Sequence, residues 1–105
     1  MLERIKAMVT EKEIETLDKV TKEIYSVDYD NNYSTAYNLG FDTVANLNGS
    51  GYINLVRIVD NLNDGGDDEY FARFILSKAL NNNKIERLKK ELRENRDRYI
   101  SILYL

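Results

Sequence analysis

Thr10-Glu11-Lys12-Glu13-Ile14-Glu15-Thr16-Leu17-Asp18-Lys19-Val20-Thr21-Lys22-Glu23-Ile24-Tyr25-Ser26-Val27 is the stretch that decides the fold class. It opens with a capping box: the Thr10 hydroxyl can accept from the amide of Glu13, and the Glu13 carboxylate can reach back to the amide of Thr10. Ile14, Leu17, Val20, Thr21, Ile24 and Val27 then recur every three or four residues, the spacing of one helix face. Lys12, Lys19 and Lys22 alternate with Glu11, Glu15, Asp18 and Glu23 on the other face. An amphipathic helix over Glu11–Val27 is predicted, with its apolar stripe on a core.

Upstream, residues 1–9 predict a short opening helix with Leu2, Ile5 and Met8 or Val9 on one side. Downstream, residues 28–33 are dense in Asp and Asn, which favour turns. Ser34 or Thr35 can cap a helix over residues 34–47, in which Ala36, Gly40 and Val44 form a narrow stripe and Asn48-Gly49 a stop. Ser50 caps a third element through Tyr52, Leu55, Val56, Val59 and Leu62. Its Ile, Val and Tyr content also suits a strand, but the run breaks strict alternation, so helix is preferred. Asn63-Asp64-Gly65-Gly66 is a break. Asp67 or Asp68 then caps a fourth helix with Phe71, Phe74 and Ile75, joined by Leu76 and Ala79, on its buried face. Asn81-Asn82-Asn83 either interrupts or continues that helix, and Asn83 with Glu86 favours an interruption.

From Lys84 onward Ile85, Leu88, Leu92, Asn95, Tyr99 and Ile102 follow heptad spacing with one polar member. These six residues are the expected self-association seam of a homodimer. Residues 99–105 are apolar nearly all round and need burial. The predicted architecture is therefore all-α: one domain over residues 1–105, a small bundle of four to six helices with a longer, heptad-patterned C-terminal helix.

The chain has no Cys, His, Pro or Trp in 105 residues. That removes disulfides, thiolate nucleophiles, zinc knuckles and the usual neutral-pH proton shuttle. No catalytic residue, cofactor or metal site is expected, and the chain is read as a non-enzyme. An EF-hand register fails at Leu62 from Asp60, and at Tyr33 and Leu39 from Asp28. Glu3, Arg4 and Lys6 interrupt the apolar residues of the amino end, so no export signal is expected there. No apolar run approaches a membrane span, and a cytoplasmic location without membrane contact is expected. Usage of Asn, Ile, Lys and Tyr matches AT-rich codons, as in many bacterial and phage genomes.

The net charge of −3 is unevenly spread. Residues 26–70 carry eight acids against Arg57, and residues 71–105 carry nine bases against four acids. An acidic middle facing a basic end can form a partner surface or neutralise itself on folding. The candidate partner-binding residues are Asp28, Tyr29, Asp30 and Tyr33, within a Tyr25-Tyr29-Tyr33-Tyr37 repeat, together with Asp60, Asp64, Asp67, Asp68 and Glu69. Asp67, Asp68 and Glu69 would also complement a helix amino end. The basic run Lys84, Arg87, Lys89, Lys90, Arg93, Arg96, Arg98 is interleaved with Glu86, Glu91, Glu94 and Asp97. Paired i to i+4, as Glu86–Lys90 and Glu94–Arg98, it reads as a solvated face, so direct nucleic-acid binding is not expected.

The functional expectation is a small protein-binding regulator or inhibitor, of phage or mobile-element type. It would occlude a bacterial defence or nucleic-acid-processing protein through the acidic surface. A nucleic-acid-binding regulator using the basic C-terminal helix, and a structural subunit of an assembly, are the alternatives.

Overall fold

The computed structural model describes residues 2–27 and 51–103. The loop expected at 28–33, the helix expected at 34–47 with its Ala36, Gly40 and Val44 stripe, and the Ser50 cap lie outside the described residues. Among the described residues every regular element is helical and none is a strand. No helix among them is long and apolar enough to cross a membrane.

Helix α1 spans Glu3–Met8 and α2 spans Glu11–Val27. The extended backbone of Val9 separates them. The capping box forms as the sequence predicts: Thr10 N donates to Glu13 Oε1 at 2.8 Å, and Glu13 N donates to Thr10 Oγ1 at 3.1 Å. Ile5, Val9, Ile14 and Leu17 are buried. Thr21 is also buried, its hydroxyl satisfied by the Asp18 carbonyl at 2.9 Å.

Helix α3, Gly51–Asp60, continues into a 3-10 turn at Asn61–Asn63. It packs against α2 and the three helices that follow. Asn54, Leu55, Val56, Ile58 and Val59 are all fully covered, so α3 is enclosed on most of its circumference. It meets α2 at Gly51, where a Cβ would run into Ile14 Cγ2 and come within 2.9 Å of Asp18 Oδ2. The missing side chain is what lets the two helices approach. Asp18 is desolvated there: burial pushes its carboxyl above the usual range against the opposing pull of Lys22, and its Oδ1 has no hydrogen-bond partner among the described residues.

The predicted break is a turn with Gly65 and Gly66 at φ 76° and 64°, a region that favours glycine. Helix α4, Gly66–Ser77, begins one residue before Asp67 and two before Asp68, the two predicted caps. Gly65 takes the cap position without a side-chain bond, and positions 67 and 68 fall inside the first turn. The inner face is Ala72, Ile75 and Leu76, with Phe71 and Ala79 partly covered. Phe74 is not on it. One turn from Tyr70, it points outward and is 46% exposed.

The Asn triplet does interrupt the helix, but through Asn81 rather than Asn83. Asn81 Oδ1 accepts from Lys84 N at 2.9 Å, and α5 spans Asn82–Glu94. The continuous heptad helix is not formed. Asn95 ends α5: its backbone N and its Nδ2 both donate to Glu91 O, at 3.0 and 3.2 Å. A 3-10 turn at Arg96–Tyr99 and a short α6 at Ile100–Leu103 then fold back onto the core, where Tyr99 and Ile102 are buried. Arg57 Nη2 donates to Ile102 O at 3.4 Å, fastening α6 to α3.

Gly51→Ala should force α2 and α3 apart and cost about 1–3 kcal/mol, as overpacking does. The check is a lower urea midpoint at unchanged m-value. The Glu13 carboxyl is raised by burial but held below its ordinary 4.5 by Lys84, 2.7 Å away, and by the Thr10 cap bonds. A lowered folded pKa gives stability that is present above the ordinary value and lost as pH falls through the folded one. Glu13→Gln keeps the cap, so its melting temperature should fall less steeply than wild type between neutral pH and pH about 3.

Candidate functional site

Of the predicted acidic surface, the described residues include Asp60, Asp64, Asp68 and Glu69. Asp60, at the end of α3, is half-buried and paired with Arg96 Nη1. Burial raises its carboxyl, Arg96 opposes that, and Asp64 adds to it. Glu69 bonds Arg73 Nη2 and Lys89 Nζ, each at 3.4 Å, and these contacts hold its carboxyl below the usual range. Asp64 is exposed in the glycine turn, and Asp68 is half-buried. The side chain of Asp67, and all of Asp28, Tyr29, Asp30 and Tyr33, lie outside the described residues. Among the described residues no group of three or more potential metal-ligating side chains gathers.

The basic segment supplies the partners. Lys84 takes Glu13, Lys89 takes Glu69, and Arg96 takes Asp60. Arg73 bridges Glu69 and Glu86, the latter at 2.7 Å. Glu86 thus pairs with a residue of a different helix. Arg87, Lys90, Arg93 and Arg98 remain outward, with Glu94 and Asp97 exposed among them.

The predicted self-association seam is packed inside the chain itself. Ile85, Leu88, Leu92, Tyr99 and Ile102 are between 0% and 5% exposed, and Asn95 serves as the C-cap of α5. A polar relay centred on the buried Glu91 carboxylate runs beside them. Tyr99 Oη donates to Glu91 Oε2 at 2.8 Å, and Arg4 Nη2 pairs with Glu91 Oε1 at 2.9 Å. Both carboxylate oxygens are therefore satisfied, and α1 is tied to the C-terminal fold-back. Burial first, then the Glu91 carboxylate, push the Tyr99 phenol up to about 12.

The outer face of α4 is the surface that the sequence reading missed. Tyr70 is 66% and Phe74 46% exposed. With Arg73 and Ser77 they line a shallow cleft of about 220 Å³. Lys78 Nζ stands 4.7 Å from the Phe74 ring centre, a cation–π distance. Tyr70 sets its ring edge-on to Phe71 at 5.5 Å, which fixes the ridge to the half-buried side of the helix. Helical spacing held the signal: Tyr70, Phe74 and Ser77 share one face, opposite Ala72, Ile75, Leu76 and Ala79. A second cleft, of about 290 Å³, lies between α1 and α5 and mixes Arg4, Arg87 and Lys90 with Glu91 and Glu94.

Compared with known protein families, with curated proteins and with solved structures, the chain shows no match.

The Tyr99 phenol gives a measurable alkaline signature. A pKa raised on folding contributes stability that is whole below the ordinary value of 10 and lost as pH climbs toward about 12. Tyr99→Phe should be less stable than wild type at neutral pH by about 1–3 kcal/mol, since Glu91 loses a buried donor. The gap should narrow from pH 10 upward in urea unfolding, where wild type loses what the variant never had.

Proposed function

We propose that the chain is a non-enzymatic binding protein, a regulator or inhibitor that acts by covering part of a protein partner with the outer face of α4 and the acidic turn before it. The exposed Tyr70–Phe74 pair carries this reading. Tyrosine beside arginine is the side-chain mix that dominates binding hot spots, because a ring buries large area while keeping a polar tip. Arg73 is already oriented by Glu69 and Glu86, so ordering it on contact costs little further entropy. The flanking Asp64 favours a partner with basic residues near an apolar recess, such as a groove that normally holds nucleic acid. A bacterial defence or nucleic-acid-processing protein offers such a groove.

The nucleic-acid reading keeps the outward Arg87, Lys90, Arg93 and Arg98 in its favour. It loses four cations, Arg73, Lys84, Lys89 and Arg96, to ion pairs within the fold. Those that remain alternate with acids, which weakens phosphate binding.

Two measurements test the reading. Full-length chain immobilised against bacterial lysate should retain a discrete protein, and Tyr70→Ala with Phe74→Ala should reduce that capture by about tenfold or more, the loss of one hot-spot ring. The Arg87→Ala with Lys90→Ala variant should capture as wild type does. Binding of duplex DNA at about 150 mM salt, falling steeply as salt rises, would overturn the reading in favour of nucleic acid.

A further inference from the structure

We infer that the outer face of α4 also pairs with the same face of a second copy, antiparallel, so that a homodimer covers the surface used for the partner. The inference rests on the proposed function only in naming that surface.

Tyr70 and Phe74 are two of the three large apolar side chains exposed among the described residues, and they sit one turn apart on one helix. Their midpoint falls at position 72. Position 67 lies about 7.5 Å toward the amino end of that point and Lys78 about 9 Å toward the carboxyl end, at 1.5 Å per residue. The eleven residue steps from 67 to 78 turn the helix through three revolutions and about 20°, so both positions lie on the same edge of the ridge. Lys78 keeps helical backbone angles, φ −74° and ψ −21°, so the register holds to its position.

A two-fold axis perpendicular to α4, lying in the contact plane at position 72, reverses the helix direction and keeps each edge on its own side. It sets Tyr70 and Phe74 of one copy against Phe74 and Tyr70 of the other. It also brings the amino end of α4, with acidic Asp67 in sequence and exposed Asp64 in the preceding turn, opposite the exposed Lys78 of the second copy. Both ends of the contact then carry opposite charges. A parallel pairing would instead face acid with acid and base with base. Arg73 lies near the axis on the other edge, where repulsion with its copy is muted because Glu69 and Glu86 hold it. The contact is small, which makes the dimer weak and exchangeable. A protein partner for α4 would displace the second copy, so chain concentration would set how much free surface is presented.

Sedimentation velocity on the full chain over about 5–500 µM tests this, the range where small interfaces associate. The weight-average mass should rise from 12.3 kDa toward twice that value. Tyr70→Glu with Phe74→Glu should stay monomeric. Lys78→Glu should shift the midpoint at least about tenfold upward, and adding Asp64→Lys and Asp67→Lys to it should bring the midpoint back within about threefold of wild type. Positions 64, 70, 74 and 78 are exposed, and far-UV circular dichroism on every variant, including those changed at position 67, checks that helix content is kept. A single 12.3 kDa species across the range overturns the inference. So does a dimer indifferent to Tyr70 and Phe74, or a charge reversal that the reciprocal change fails to repair. The two proposals fail separately. Loss of partner capture in the ring variants of a strictly monomeric chain leaves the proposed function standing. A dimer that depends on α4 while capture does not removes the partner surface and leaves the self-pairing.

Discussion

Helix α3 has almost no side that can face water. Leu55 and Val56, then Ile58 and Val59, are adjacent pairs and all fully covered. In a strand, neighbours in each pair would point to opposite faces and need two layers to cover them. In a helix they spread around the circumference, which calls for neighbours on several sides. The rest of the fold supplies them: α2 across Gly51, α4 after the glycine turn, α5 along its apolar stripe, and α6 fastened by Arg57. Each such side chain taken from water contributes roughly 1.5–3 kcal/mol, and these four do so in contact with neighbours from most of the other helices.

Charge plays a different part. Folding draws the basic C-terminal segment onto acids from three other regions: Glu13, Asp60 and Glu69. Half-exposed pairs of this kind contribute about 0–1 kcal/mol each and do not hold the fold together. They do determine which charges are left for a partner. Among the described residues, Asp60 and Glu69 of the acidic middle are drawn into pairs with Arg96 and Lys89 of the basic end, while Asp64, Arg87, Lys90, Arg93 and Arg98 stay exposed. The Arg4–Glu91–Tyr99 relay differs because its carboxylate is buried. Both partners must stay in place, which couples α1 to the C-terminal turn.

Much of the helical content was legible because its signals are local. Thr10 and Glu13 lie three residues apart and bond as their chemistry dictates, and Gly65-Gly66 can end a helix without help from elsewhere. The misses share a cause: they depend on what lies across the molecule. Asn83 with Glu86 reads as a capping box, yet it is Asn81 that accepts from Lys84 N and caps the helix. Nothing near Gly51 announces that Ile14 and Asp18 will press against it. Phe74 reads as core by residue type, yet the inner face centres on Ala72, Ile75, Leu76 and Ala79, a geometry that helical angles give and hydrophobicity does not. Of the acidic candidates, Asp60 and Glu69 have cationic partners that lie 36 and 20 residues away in sequence, beyond the reach of local pattern.

The heptad pattern is the instructive case. Spacing of three and four reports a buried stripe, without saying whether the covering surface belongs to the same chain or another. Asn95 carried the distinction. As a mid-helix residue it would be a polar member of a dimer seam, but here its side chain takes the Glu91 carbonyl and ends the helix. The chain then turns back so that Tyr99 reaches Glu91 and Ile102 reaches the core. Opening that arrangement to pair the seam with a second copy would expose Ile85, Leu88, Leu92, Tyr99 and Ile102 together. At roughly 1.5–3 kcal/mol each, the cost approaches the whole stability of an ordinary domain, about 5–15 kcal/mol. Tyr70 and Phe74 carry no such cost, because their surface is already in water. Among the described residues, the stripe whose periodicity is most conspicuous in the sequence is thus occupied within the chain, while the Tyr70–Phe74 ridge of α4 stays open to solvent.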